Sequence, residues 1–101
     1  MRKNPIRHLK VDDLEKVALR FRCLGEVSRL RIVQSLMGGE KNVTEIVTFT
    51  GLSQPNVSRH LTQLVTSQLI AKRKSRQNVI YSIRDRSLAA ICSIVCQSVK
   101  S

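Results

Sequence analysis

The segment Gly51-Leu52-Ser53-Gln54-Pro55-Asn56-Val57-Ser58-Arg59-His60-Leu61-Thr62-Gln63-Leu64 constrains the fold more than any other part of the chain. Ser53 is a good N-cap, and Pro55 falls in the first turn, where its missing N–H costs nothing. Leu52 and Val57 occupy the two places of a hydrophobic staple, so a helix starts here at a defined point. Val57, Leu61 and Leu64 recur at i, i+4 and i+7. That stripe is wide enough to dock the helix on a core and too narrow to bury it. The opposite face, at about 100° per residue, carries Pro55, Arg59 and Thr62, flanked by Asn56, Ser58 and Gln63, with Gln54 in the exposed first turn. Gln and Asn bond bidentately to adenine, Arg does so to guanine, and Ser or Thr meets base or phosphate, so this set suits a DNA major groove. An ordinary solvated helix face usually holds more Glu and Lys. His60 is expected to pack beside this helix or to meet a phosphate.

The neighbouring segments fit the same reading. Asn42, with Glu45 three residues on, opens a short helix whose inward residues include Val43, Ile46 and Val47, and Gly51 ends it. A short helix, a turn containing Gly and a second helix form a helix-turn-helix, whose second member enters the groove. Upstream, Leu14, Val17, Ala18 and Phe21 mark a first helix ending near Gly25, with Asp12, Asp13 and Glu15 in its first turn. A second helix runs from about Glu26 to Met37, with Leu30, Val33, Leu36 and Met37 inward and Arg29, Arg31 and Gln34 outward, and Gly38-Gly39 stops it.

After Leu69 the period becomes strand-like. Ile70 to Lys74, Ser75 to Asn78 and Val79 to Ile83 read as strand, turn and strand of a β-hairpin. Lys72, Arg73, Lys74 and Arg76 make its tip basic, placed to lie along phosphates, the other reading being a solvated charge run. Asp85 caps a last helix with Leu88, Ile91, Cys92, Val95 and Val99 on one stripe, too apolar for a free terminal helix. It is expected to pack on the first helix and on a symmetry mate, giving a twofold homodimer through Leu14, Val17, Phe21, Leu88, Ile91, Val95 and Val99.

A chain of 101 residues is expected to form one domain over 11–101, behind a flexible basic arm over 1–10. Lys and Arg number 18 against 7 Asp and Glu, and the net charge of +11 suits a phosphate backbone. No segment approaches the ~20 apolar residues of a spanning helix and no signal-peptide pattern is seen, so a cytoplasmic protein without membrane contact is expected.

These elements add up to a mostly α winged helix-turn-helix with a small β-hairpin wing, and their residues resemble the ArsR/SmtB family of repressors. Leu24-Gly25-Glu26-Val27-Ser28-Arg29-Leu30-Arg31-Ile32 is similar to that family's helix-opening segment. Leu52-Ser53-Gln54 through Val57-Ser58-Arg59-His60-Leu61 is similar to its recognition-helix signature, and Val79-Ile80-Tyr81-Ser82-Ile83 to its second wing strand. The resemblance implies a homodimer on a palindromic double-stranded operator, released by an inducer such as a metal ion, arsenite or an oxidised sulfur species. No cofactor is required for DNA binding in this reading. The family's Cys-x-Cys pair would fall within Val43 to Val47, where there is no cysteine, and its last-helix zinc site would need histidines after Asp85, where there are none. Gln68 stands where the family usually has Gly, and Asn78 is expected to supply a left-handed residue at the wing tip.

Three cysteines, Cys23, Cys92 and Cys96, are the candidate sensor. They can hold arsenite or a soft metal ion, form a disulfide or polysulfide bridge, or serve as small hydrophobes. The second function class is a winged-helix module for protein or RNA with structural cysteines and no inducer. No enzyme is expected, because His8 and His60 have no carboxylate or nucleophile constellation around them.

Overall fold

The computed structural model describes residues 5–100. The order is α1 (Val11–Leu24), α2 (Val27–Met37), α3 (Val43–Thr50), α4 (Gln54–Thr66), β1 (Ile70–Ser75), β2 (Asn78–Ile83) and α5 (Arg86–Val99). Of the expected basic arm, Pro5–His8 form a 3-10 turn, and residues 1–4 lie outside the described residues. Among the described residues, no helix is long and apolar enough to cross a membrane.

The helix-turn-helix is fixed by local chemistry at both ends of its turn. Asn42 Oδ1 accepts from the Glu45 N–H at 2.8 Å, while Glu45 Oε1 accepts from the Asn42 N–H at 2.9 Å, a complete capping box for α3. Gly51 ends α3 at φ +74°, a conformation that penalises any side chain. Two residues later the Ser53 hydroxyl accepts from the Asn56 N–H at 3.3 Å and starts α4. The chain thus reverses within Gly51–Ser53, as the capping pattern predicts.

The core lies where α2, α3 and α4 meet. Ile32, Val33 and Leu36 of α2 pack with Ile46 of α3, with Val57, Leu61 and Leu64 of α4, and with Leu69 and Ile70 at the root of the hairpin. The inward face of α2 differs from the one expected. Ile32 is fully buried, whereas Leu30 and Met37 are 41% and 40% exposed. The reason is that α2 has two apolar sides. One meets α3, α4 and β2, and the other borders a cleft toward α1 and α5.

At the end of α4 the N–H of Leu69 bonds to the Leu64 carbonyl and that of Gln68 to the Val65 carbonyl, a Schellman motif. Gln68 sits in it at φ +62°, which explains why Gly suits this place. The antiparallel hairpin then runs in register from Ile70↔Ile83 to Ser75↔Asn78. Its left-handed residue is Arg76 at φ +57°, not Asn78, which is already paired in β2. A tip of only two residues, Arg76 and Gln77, leaves Asn78 no place in the turn. Lys41 pairs with Tyr81 through two backbone hydrogen bonds, at 3.0 and 2.8 Å, and ties the hairpin to the α2–α3 connection.

Arg84 and Asp85 N–H groups bond to the Leu69 carbonyl and bring α5 back to the end of α4. Arg20 donates to the Asp85 carboxylate at 3.3 Å, linking α1 to the same corner. Leu88 is drawn inward there and is 1% exposed, so it belongs to the protomer's own core and not to the outer face expected for it.

Candidate nucleic-acid interface

α4 turns two different faces. Val57, His60, Leu61 and Leu64 are buried, and Gln54, Pro55, Asn56, Ser58, Arg59, Thr62 and Gln63 are all exposed. The sorting follows from the apolar stripe of Val57, Leu61 and Leu64 and from the start that Ser53 and Pro55 impose. Arg59 Nη2 donates to Asn56 Oδ1 at 3.3 Å, so a guanidinium and an amide on the outer face are pre-paired one turn apart. Thr62 donates its hydroxyl back to the Ser58 carbonyl at 3.1 Å, leaving its methyl and lone pairs outward. The face therefore offers amide, guanidinium and hydroxyl groups with no carboxylate among them.

The turn before α4 is braced from α2. Arg31, read from sequence only as an outward residue, donates through Nη2 to the Thr50 carbonyl at the last turn of α3. Thr50 is itself buried, and its hydroxyl accepts from the Leu52 N–H at 3.2 Å. No local period reveals such a contact, because it joins residues 19 apart.

His60 does not face outward. Its Nε2 lies 3.2 Å from Glu26 Oε1 and its Nδ1 accepts from Arg29 Nε at 3.4 Å. Burial pulls the imidazole pKa below its usual 6.5. The Glu26 carboxylate opposes that shift, and Arg59 and Arg29 reinforce it. Of the two expected roles, packing beside α4 is the one the geometry allows.

On the wing, Lys72, Arg73, Lys74 and Arg76 are all exposed, but they are not equivalent. Arg73 donates to Glu40 Oε1 at 2.7 Å, across the Lys41–Tyr81 pairing. Strand alternation puts Lys72 and Lys74 on the other face of β1. The basic run thus divides into the anchored guanidinium of Arg73 and the side chains of Lys72, Lys74 and Arg76, which have no carboxylate partner in the salt bridges among the described residues.

The cysteines are all free, with Cys23 buried, Cys92 half-buried and Cys96 exposed. Cys92 and Cys96, one turn apart on α5, line a cleft of about 600 Å³ that is walled by Phe21, Leu24, Leu30 and Gln34 among others. Burial, then the neighbouring Cys96 thiol, pushes the Cys92 pKa up. Cys23 does not line this cleft. Among the described residues no three His, Cys, Asp or Glu side chains assemble as a metal site, so the three-cysteine ion site, one of the alternatives open from sequence, is not assembled within one protomer.

Comparison with known proteins places this geometry. The profile of the arsR family of bacterial regulatory proteins matches residues 26–72, from the start of α2 into the wing. The chain is 30% identical to the biofilm growth-associated repressor of Xylella fastidiosa strain Temecula1, over 99% of this chain and 95% of that protein. It is 36% identical to the probable mercury resistance operon repressor of Streptomyces lividans over 68% of this chain, and spans 55% of that relative's length. Among solved structures, a homodimeric winged helix-turn-helix DNA-binding domain from Mycobacterium bovis, a possible ArsR-family transcriptional regulator, superposes with a TM-score of 0.79 at 26% identity, covering 90% of this chain and 87% of that one.

Proposed function

Because the chain belongs to the arsR family of bacterial regulatory proteins, we propose that it is a homodimeric transcriptional repressor that reads a palindromic operator with α4 and leaves it when its α5 thiols are engaged. The observation that carries the DNA reading is the outer face of α4, a row of base-compatible side chains beside a basic wing on a chain of net charge +11. In this reading Arg59, Asn56 and Gln54 meet base edges, while Ser58, Thr62, Gln63 and the N-terminal turn at Pro55 meet bases or phosphates. Lys72, Lys74 and Arg76 follow the backbone, and Arg73 holds the wing through Glu40.

Titration with a promoter-region duplex tests it. Arg59→Ala relaxes base preference, at about 1–3 kcal/mol at the base pair it reads. Lys72→Ala weakens binding to every sequence alike and lowers the slope of log affinity against log salt by about one phosphate contact. If neither substitution changes duplex binding, the outer face of α4 and the wing serve some other partner.

For the inducer, Cys92 and Cys96, one turn apart on α5 and both lining the α1–α2–α5 cleft, offer a two-thiol site. A soft ion, arsenite or mercury(II), can bridge them, and reactive sulfur can oxidise them. The Streptomyces relative is named for mercury resistance, which fits thiol chemistry of this kind. Arsenite, mercury(II) and polysulfide are each added to the preformed protein–DNA complex, the protein having been reduced beforehand, freed of reductant and kept anaerobic. Release by one of them, lost in Cys92→Ser and Cys96→Ser, is the expected result. Release that survives in both variants removes the thiols from the mechanism.

A further inference from the structure

Two side chains at the opening of α2, Glu26 and Arg29, meet His60 of α4 at the α1–α2 corner, and the hydrogen-bond directions among them fix the protonation state of the imidazole. Arginine is a donor at every nitrogen and stays charged. With Arg29 Nε 3.4 Å from His60 Nδ1, Nδ1 is therefore the acceptor. The imidazole proton sits on Nε2, 3.2 Å from Glu26 Oε1, which accepts it. Both ring nitrogens are used and the ring is neutral. Arg29 is held in turn by Glu26 Oε2 at 3.2 Å and donates to the Cys23 carbonyl at 3.1 Å in the last turn of α1. The charged groups facing His60 are Glu26 and Arg29 at the opening of α2 and Arg59 on its own helix.

Resting on the DNA-binding reading above, we infer that His60 is a positioning residue for DNA recognition, which in its neutral Nε2–H form tethers the middle of α4 to the α1–α2 corner and on protonation lets it go. A proton added at Nδ1 points N–H at N–H across the Arg29 contact. Arg29 then withdraws, and its hold on the Cys23 carbonyl is disturbed with it. The apolar stripe of α4 stays docked, but the polar tether next to Arg59 is gone. Two recognition helices must reach half-sites one DNA turn apart, so play at this joint costs affinity. The sign is diagnostic. Protonating any other group adds positive charge and strengthens phosphate attraction, whereas protonating His60 weakens binding. The tether is whole above the ordinary histidine value of 6.5 and is lost as pH falls through the lowered pKa.

The test measures affinity for a promoter-region duplex at constant ionic strength from about pH 8 down to about pH 5.5, in the wild type, His60→Gln and Glu26→Gln. Nitrogen NMR of the DNA-free protein reads the His60 tautomer. The wild type is expected to lose about 5-fold or more in affinity on acidification. His60→Gln, which cannot titrate, removes that step. Glu26→Gln removes the carboxylate that favours the imidazolium and moves the step to lower pH. The tautomer is expected to be Nε2–H, a readout that does not depend on how well the His60→Gln variant folds. An unchanged step in His60→Gln, no step in the wild type, or an Nδ1–H tautomer overturns the inference alone. A wild type that binds no duplex at about pH 8 removes the DNA-binding reading and the inference together.

Discussion

Phe21→Asp and Val95→Asp are each expected to convert the protein to a folded monomer and to weaken duplex binding by about 100-fold or more. The expectation rests on what α1 and α5 fail to bury. Within the protomer α1 buries Cys23 and α5 buries Leu88, yet Phe21, Ile94, Val95 and Val99 remain exposed, Ile94 at 69% and Val99 at 77%. Phe21, Leu30 and Val95 border the same cleft between α1, α2 and α5, so apolar surface stays open there that water does not tolerate cheaply. In the proposed homodimer a twofold mate with the same face would cover it, and such a patch is self-complementary by symmetry. Pairing two half-site readers turns the second contact into an intramolecular one, and its loss accounts for the size of the effect. Because neither side chain belongs to the protomer core, far-ultraviolet circular dichroism should keep its helical signal while light scattering reports the monomer mass. A variant that stays dimeric and binds DNA as before would move the interface to another face.

The fold was most legible where one residue's chemistry decides local geometry. Asn42 with Glu45, Gly51, Ser53 and Asp85 mark helix boundaries through caps that operate within a few residues, and the structure has each of them in use. The stripe of α4 was legible because a single core lies on one side of it. α2 was not, because Ile32 and Leu30 lie on two apolar sides of the same helix and only the tertiary arrangement decides which is closed within the protomer. The same limit applies to polar groups. Arg73 with Glu40 and His60 with Glu26 join residues more than thirty positions apart, and a charge run or a lone histidine gives no sign of such a partner. The outer face of α4 could be read in advance since its chemistry is local to the helix. The tether behind it could not.

Leu61→Ala is expected to destabilise the protein by about 2–5 kcal/mol, and to lower the thermal midpoint by about 10 °C or more at a fixed protein concentration. Leu61 is 1% exposed and packs from the centre of α4 into the cluster of Ile32, Val33, Leu36, Ile46 and Leu64. Truncation removes three carbons from a site that the surrounding helices cannot fully close, so the cost exceeds simple transfer. A total stability of about 5–15 kcal/mol makes this a large fraction. Leu30→Ala, at a side chain still 41% exposed in the protomer, should cost the protomer less. The functional content lies in the contrast with Arg59, two residues away on the other side of the same helix. Arg59→Ala should leave the midpoint within the spread of a surface change, about 0.5 kcal/mol, while altering base preference. Leu61→Ala, assayed well below its midpoint, should bind more weakly with the ranking of base substitutions unchanged. Calorimetry and a panel of single-substituted duplexes measure the two effects separately. If Leu61→Ala costs less than about 1 kcal/mol, or reorders the base preferences, then its stripe does not set how α4 is presented, and specificity and docking are not divided between the two faces of this helix.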